Sequence, residues 1–342
     1  MKSNNKIAIS GLGRIGRSIL KKNGLNNQFN VSFCNDVNPD IKNLAYLLRY
    51  DSTYGKYDKE IKFTDNKIII NNQEIDYLVN HSLYDIDWEK YQTDILIISS
   101  GIEKSVKEAR ELILKGAIKK VIVTHCSSNT DKEIILGVNE DTINEKDSII
   151  SNSICDANAI AHIVKWLDNE FEIQSGSLTT LHPWLGYQNL LDGFSFSHSN
   201  PGFPWPDYAL ARSSIDNLIP KKTTALSAVE SVVPNIKNKM LSFSYRVPTN
   251  VVSSSDLTLN LKKEISLNEF NNFLVDQSKK SKYVSLNYES LVSQDYKSNE
   301  SSAIIDMQWN QKVGNTFKIV LWYDNEWGYS SRVIDLVEFL SK

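Results

Sequence analysis

Lys6-Ile7-Ala8-Ile9-Ser10-Gly11-Leu12-Gly13-Arg14-Ile15-Gly16 decides the fold of this chain. Its first half is a short apolar run stopped by glycine, which predicts a buried strand. A G-x-G-x-x-G turn follows, and Ile15, Ile19 and Leu20 then recur at helical spacing. Gly11 permits the tight turn, Gly13 lets the backbone approach a pyrophosphate, and Gly16 allows close helix–strand packing. The helix N-terminus then faces the anion. Asp36 closes the next strand pattern, where a carboxylate would bind a ribose 2′-hydroxyl and repel a 2′-phosphate. The expected cofactor is therefore NAD rather than NADP. Gly11, Gly13, Arg14, Ile15, Gly16 and Asp36 form the expected cofactor set, with Ser100 behind a later strand.

Outward from this stretch, residues 31–34, 95–98 and 121–124 read as further strands. Residues 106–115 carry Ala109, Leu112 and Ile113 on one helical face, and Gly116 ends that helix. Strand–helix–strand repetition predicts a doubly wound parallel sheet of the Rossmann type. The second half differs. Ala159, Ile160, Ile163, Val164 and Leu167 mark a long helix beginning near Cys155, and residues 330–340 a final one. Residues 176–181, 241–247, 257–262, 303–309 and 317–323 read as strands of a mostly antiparallel α+β unit. Residues 194–206 lack any period and read as a long ordered loop. The expected division is 1–154 plus 325–342 for the NAD-binding domain and 155–324 for the catalytic domain.

The chain has 342 residues, enough for two cores, and 38 Lys+Arg against 41 Asp+Glu. That balance argues against nucleic acid as a partner. No apolar run is long enough to span a bilayer, so no membrane partner is expected. The polar start, residues 1–6, does not read as a signal peptide. Three cysteines do not make a disulfide framework, and a reducing, cytoplasmic setting is expected. No metal is expected.

Cys155 stands where the long helix begins. The positive end of a helix lowers a thiol pKa, so a reactive thiolate is expected there. Such a thiolate can attack an aldehyde carbonyl. His182 ends a strand and could serve as its base, although spacing alone does not bring the two together. Of the remaining candidates, Cys34 reads as core and Cys126 as structural or at most redox-sensitive. His125 and Cys126 are adjacent on an extended chain and so point apart. His198 reads as an exposed loop residue, and His81 and His162 as surface or partly buried.

Taken together, Ile9 through Arg17, Asn35-Asp36, Tyr50-Asp51-Ser52, Ser151-Asn152 with Cys155 and Asn158, Thr179-Thr180-Leu181-His182, Arg246-Val247-Pro248-Thr249 and Tyr323 through Ser330 resemble the phosphorylating glyceraldehyde-3-phosphate dehydrogenases. The motifs occur in that family's order and span almost the whole chain. The resemblance implies a thioacyl-enzyme on Cys155, His182 as base, hydride transfer to NAD and attack by inorganic phosphate. It also implies Asn325 at the nicotinamide carboxamide, Arg246 between two phosphate positions, and a homotetramer.

The departures cluster around the substrate. Hydroxyls beside the nucleophile have become Ile154 and Asp156, and Asp156 tends to raise the thiol pKa. The threonine expected to hold the substrate phosphate is matched by Leu185, a nearby acid by Tyr187, and one arginine by Leu210. Arg212 fits the last arginine of the family's basic cluster. The inorganic-phosphate pair appears as Thr223-Thr224. Arg246, Thr223, Thr224, Ile154, Asp156 and Leu185 are thus the candidate substrate residues. Trp184, Tyr187, Phe194, Phe196 and Trp205 would suit a larger or less charged aldehyde. Three readings follow: oxidation of glyceraldehyde 3-phosphate, oxidation of another aldehyde, and an NAD-binding regulator without turnover.

Overall fold

The computed structural model describes residues 3–342, so Met1 and Lys2 of the polar start lie outside the described residues. The glycine turn joins β1 (Ser3–Ser10) to α1 (Arg14–Asn26), which leads into β2 (Phe29–Asp36). Then come α2 (Ile41–Arg49) and the short strands β3 (Ile61–Phe63), β4 (Lys67–Ile70) and β5 (Gln73–Val79). After them run β6 (Ile95–Ile98), α3 (Glu103–Leu114), β7 (Lys120–Val123), β8 (Lys132–Glu133) and β9 (Ile149–Ser151). Together they make a nine-stranded sheet in the order β8-β9-β7-β6-β1-β2-β5-β4-β3. Pairing is parallel from β8 through β5 and antiparallel across β5, β4 and β3. All four residues of β6 are buried, as a central parallel strand covered on both faces requires. Strand order reverses between β1 and β6, and a crevice opens outside the carboxyl ends of the strands at such a point.

The second half begins with α4 (Cys155–Phe171) and β10 (Ile173–Pro183). It continues through β11 (Ile219–Lys221), α5 (Ala225–Val232), β12 (Met240–Val247), β13 (Ser253–Leu261) and α6 (Leu267–Lys280). The last elements are β14 (Val284–Asn287), β15 (Ala303–Asp306), β16 (Thr316–Tyr323) and α7 (Trp327–Leu340). The sheet runs β11-β12-β10-β13-β16-β15-β14, with Gln311–Val313 paired to β16 as an eighth strand. It is mostly antiparallel, as expected, but β10 pairs β12 in parallel and β14 pairs β15 in parallel. The chain reaches β12 through a helical crossover, which returns it in the same direction.

One face of this sheet is dry. Ile160, Ile163 and Leu167 of α4 pack with Leu178, Leu257, Leu259 and Ile319. Each such side chain contributes about 1.5–3 kcal/mol on burial. That packing fixes α4, and with it Cys155 at its first residue. Residues 307–309 form a 3₁₀ turn rather than the end of a strand. Residues 194–206 are irregular apart from one bridge between Phe196 and Pro204. His162 is buried between Trp166 and Tyr283 rather than on the surface. Burial pushes its pKa down to about 3.

The last helix rejoins the first sheet. Val333 and Val337 of α7 share a core with Ile7, Ile9 and Ile19.

Candidate active site

At the reversal point the glycine turn is built by contacts that exclude a side chain. Gly11 has φ +96°, and a Cβ there would meet the Ser100 backbone at 2.4 Å. A Cβ on Gly16 would meet the Gly11 carbonyl at 2.1 Å. Gly13 caps α1, and a Cβ there would meet nothing within 4 Å, so the turn is open on that side. Ser100 is thus the floor under Gly11.

The Asp36 carboxylate accepts from the Leu12 amide at 2.5 Å and from the Asn38 amide at 3.0 Å. It is therefore held at the carboxyl end of β2, beside the turn. NAD is expected to bind well and NADP poorly, and Asp36→Gly is expected to narrow that preference. Calorimetric titration of both cofactors checks this, and equal affinities in the wild type would refute the assignment.

Arg14 opens α1 but is not a free cation. Its guanidinium meets Asp51 at 3.0 Å and Glu326 at 2.6 Å. Burial alone would lower its pKa, but the two carboxylates carry it above the ordinary value. Its charge is spent on the cleft wall, and with Ile15 it lines a cleft of about 540 Å³. The same cleft is lined by Ile154, Cys155, His182, Trp184, Leu185 and Asn325.

Asn325 is placed by its neighbour. The buried Asp324 carboxylate accepts from the amides of Ser298, Glu326 and Trp327 and from the Tyr54 hydroxyl, at 2.8–3.0 Å. Asn325 itself is buried, and its Oδ1 has no protein partner. A buried acceptor in the same cleft as the opening of α1 fits a ligand that carries phosphates and an amide donor.

The sulfur of Cys155 lies 3.6 Å from His182 Nε2. The turn before it is unusual: Ser153 has φ +56°, and Asn158 donates back to the carbonyls of Asn152 at 2.9 Å and Ile154 at 3.1 Å. A non-glycine residue in the left-handed region stores strain, here overcome by the Asn158 contacts. His182 Nδ1 is 2.7 Å from the Pro183 carbonyl. Nδ1–H must therefore donate, which leaves the Nε2 lone pair facing the sulfur.

The thiolate expected from the helix N-terminus is not favoured. Burial, and then Asp156, push the Cys155 thiol well above its usual range, although the residue keeps some accessible surface. Burial and the nearby Arg246 hold His182 down at about 4. Both directions favour a neutral thiol facing a neutral imidazole. Desolvation outweighs the helix dipole here. Asp156 is buried, and its Oδ1 lies 2.7 Å from the Tyr323 hydroxyl and 3.6 Å from the Cys155 sulfur.

Arg246 on β12 lies beside His182 in register. It is buried, its Nη2 reaches the Tyr187 hydroxyl at 3.5 Å, and its Nε has no partner. Lys221, not anticipated from sequence, lies on the neighbouring β11 with its Nζ 5.4 Å from the Trp205 ring centre. Burial, then Arg246, lower its pKa. Among the described residues neither cation is in a salt bridge. Tyr187 stacks on His198, ring centres 5.6 Å apart, and meets Trp205 at a tilt, 5.8 Å away.

Other candidates fall elsewhere. Thr223 accepts from the Ala225 amide at 3.0 Å, and Thr224 is exposed; neither lines the cleft. Phe194 and Phe196 are exposed and do not line it either, contrary to expectation. Leu210 is buried as packing, and Arg212 pairs with Asp192 at 2.8 Å. Cys126 donates to Glu133 at 3.1 Å, with its pKa pushed up by burial, and His125 faces Glu103.

Two family descriptions match this chain: "Glyceraldehyde 3-phosphate dehydrogenase, NAD binding domain" over residues 5–106, and "Glyceraldehyde 3-phosphate dehydrogenase, C-terminal domain" over residues 154–325. Glyceraldehyde-3-phosphate dehydrogenase 2 of Bacillus subtilis is 37% identical, with 98% of this chain and 96% of the relative covered. The chain belongs to the glyceraldehyde-3-phosphate dehydrogenase family. Within that family, the Priestia megaterium dehydrogenase is 35% identical, with 98% of each chain covered. Glyceraldehyde-3-phosphate dehydrogenase 1 of Kluyveromyces lactis is also 35% identical, with 98% and 99% covered. As a family member the chain is an NAD-dependent oxidoreductase of aldehyde groups. No helix among the described residues is long and apolar enough to cross a membrane.

Proposed function

We propose that the chain oxidises glyceraldehyde 3-phosphate, with NAD and inorganic phosphate, to 1,3-bisphosphoglycerate. The observation that carries this is the Cys155–His182 pair at 3.6 Å, in one cleft with Asn325 and the opening of α1. Cys155 Sγ bonds to the aldehyde carbon as the carbonyl π bond opens and the thiol proton passes to its oxygen, giving a hemithioacetal. His182 Nε2, unprotonated and aimed at the sulfur, takes the hydroxyl proton of that adduct. NAD, when bound, would supply the hydride acceptor for this oxidation. A thioester on Cys155 remains, and a phosphate oxygen attacks its carbonyl carbon and releases the thiol. Asn325 Oδ1 would hold the nicotinamide amide, and Gly11, Gly13, Ile15 and Gly16 the pyrophosphate end.

NADH absorbance with glyceraldehyde 3-phosphate, with and without phosphate, tests this, alongside mass spectrometry for an acyl adduct on Cys155. Absence of any adduct with a panel of aldehydes would leave the NAD-binding regulator. Oxidation of uncharged aldehydes in preference would favour the second substrate reading, for which Leu185 and Leu210 speak. We favour an anionic substrate, because Arg246, level with His182 in the sheet, and Lys221, on the next strand, are cations without salt-bridge partners, and both act on the His182 ring. Lys221→Ala is expected to raise KM for glyceraldehyde 3-phosphate about tenfold or more, with kcat less affected. An unchanged KM would remove Lys221 from substrate binding.

The working divisions remain 1–154 plus 325–342 for the cofactor and 155–324 for catalysis, in a cytoplasmic enzyme. A homotetramer is supported by the outer face of β10 and β12, where Leu181, Leu241 and Phe243 stay exposed. Light scattering is expected to give four times the chain mass, and a monomer mass would refute it.

A further inference from the structure

Asp156 is a carboxylate nine-tenths buried with a phenol and a thiol as its hydrogen-bond donors. Among the described residues it has no salt-bridge cation. A buried anion of this kind is costly unless a cation completes it. Two side chains beside it, Cys155 and His182, are both metal-ligand types. The ligand atoms of Cys155, Asp156 and His182 all lie within 4.8 Å of one another.

We propose that Cys155, Asp156 and His182 form a three-ligand site for a borderline-soft divalent cation of the zinc type, whose occupancy blocks the thiol. A tetrahedral zinc ion with bonds of about 2.3 Å to sulfur and 2.0–2.1 Å to nitrogen or oxygen sets its ligands about 3.6 Å apart along each edge from sulfur. The two sulfur edges here measure 3.6 Å each, to His182 Nε2 and to Asp156 Oδ1. The outer contacts agree as well. His182 Nδ1 is tied to the Pro183 carbonyl at 2.7 Å, the arrangement that turns the other imidazole nitrogen toward a metal. The Tyr323 hydroxyl, itself 3.1 Å from Ser255, holds Asp156 Oδ1 at 2.7 Å. Cys155 and His182 line the cleft, which leaves the fourth position for water. Binding releases the Cys155 thiol proton to solvent, and no redox change is involved. The inference does not depend on which aldehyde the enzyme oxidises.

The probe is cobalt(II), added to the full chain without NAD and read by absorbance. One equivalent per chain is expected, with intense visible bands of tetrahedral cobalt, a near-ultraviolet thiolate band, and displacement by zinc. Cys155→Ser is expected to lose the thiolate band. Asp156→Asn preserves the acceptor for Tyr323 while removing the charge, and is expected to weaken cobalt binding at least about tenfold, the scale of losing even an outer-shell partner. Undiminished NAD binding in both variants shows that they fold. Octahedral cobalt bands, a thiolate band that survives Cys155→Ser, or equal affinity in Asp156→Asn would each overturn the site.

Discussion

Cys155→Ser is expected to abolish aldehyde oxidation, with a loss of at least about 10⁴ in kcat/KM, while NAD binding stays within a few-fold of wild type. The size follows from the surroundings. A serine hydroxyl is a weak nucleophile unless a base deprotonates it, and here desolvation already opposes ionisation of the far more acidic thiol. Cofactor affinity is spared because the glycine turn and Asp36 belong to the other sheet. Stopped-flow NADH absorbance and calorimetry on one preparation separate the two effects. Wild-type turnover in the serine variant would move the nucleophile elsewhere. Cys126 is poorly placed to take over, since its sulfur donates to Glu133 and its own pKa is pushed up.

The second large effect is at His182. His182→Asn is expected to slow the reaction by on the order of 10²–10⁴, the usual scale for removing a positioned base. Its pH dependence separates this role from a structural one. The imidazole pKa is depressed to about 4, so the wild type keeps its base unprotonated across the neutral range. Activity should fall only as pH drops through about 4, not through 6.5. In the asparagine variant that acid limb should vanish, and rate should climb toward alkaline pH as Cys155 ionises unaided. An acid limb near 6.5 in the wild type would show that Cys155 and His182 rest as an ion pair instead.

The first sheet was legible because its signals are local. A strand such as Ile95-Leu96-Ile97-Ile98 is apolar throughout because both faces are covered, and Gly16 announces its close contact with the nearby Gly11 carbonyl. Residues 303–309 show the limit, since Asp306 caps a 3₁₀ turn inside what reads as one apolar run. The helix α6 carries too many Asn and Lys residues for its apolar stripe to stand out, and α2 is only nine residues long. At the site, Cys155 and His182 were each visible, but their contact depends on how α4 packs on β10. The burial that pushes the Cys155 thiol up is equally hidden in the sequence. A helix dipole can be read from position in the chain, whereas desolvation comes from residues distant in it. Lys221, in a Lys-Lys pair, reads as a solvated charge until β11 lays it against Trp205.

The return of α7 to the first sheet has a consequence for how the molecule comes into being on the ribosome. Arg14 and Glu326, hydrogen-bonded in the cleft wall, are 312 positions apart in the chain. At 5–20 residues per second, roughly 15–60 s pass between the emergence of the two. Throughout that interval the apolar face of α1 and β1 that Val333 and Val337 will cover has no permanent partner. The nascent Rossmann half must wait in an incomplete state while the entire second sheet is made. Its dependence on chaperones during translation should therefore be set by α7, and a nascent chain stalled before Trp327 should expose that face to protease.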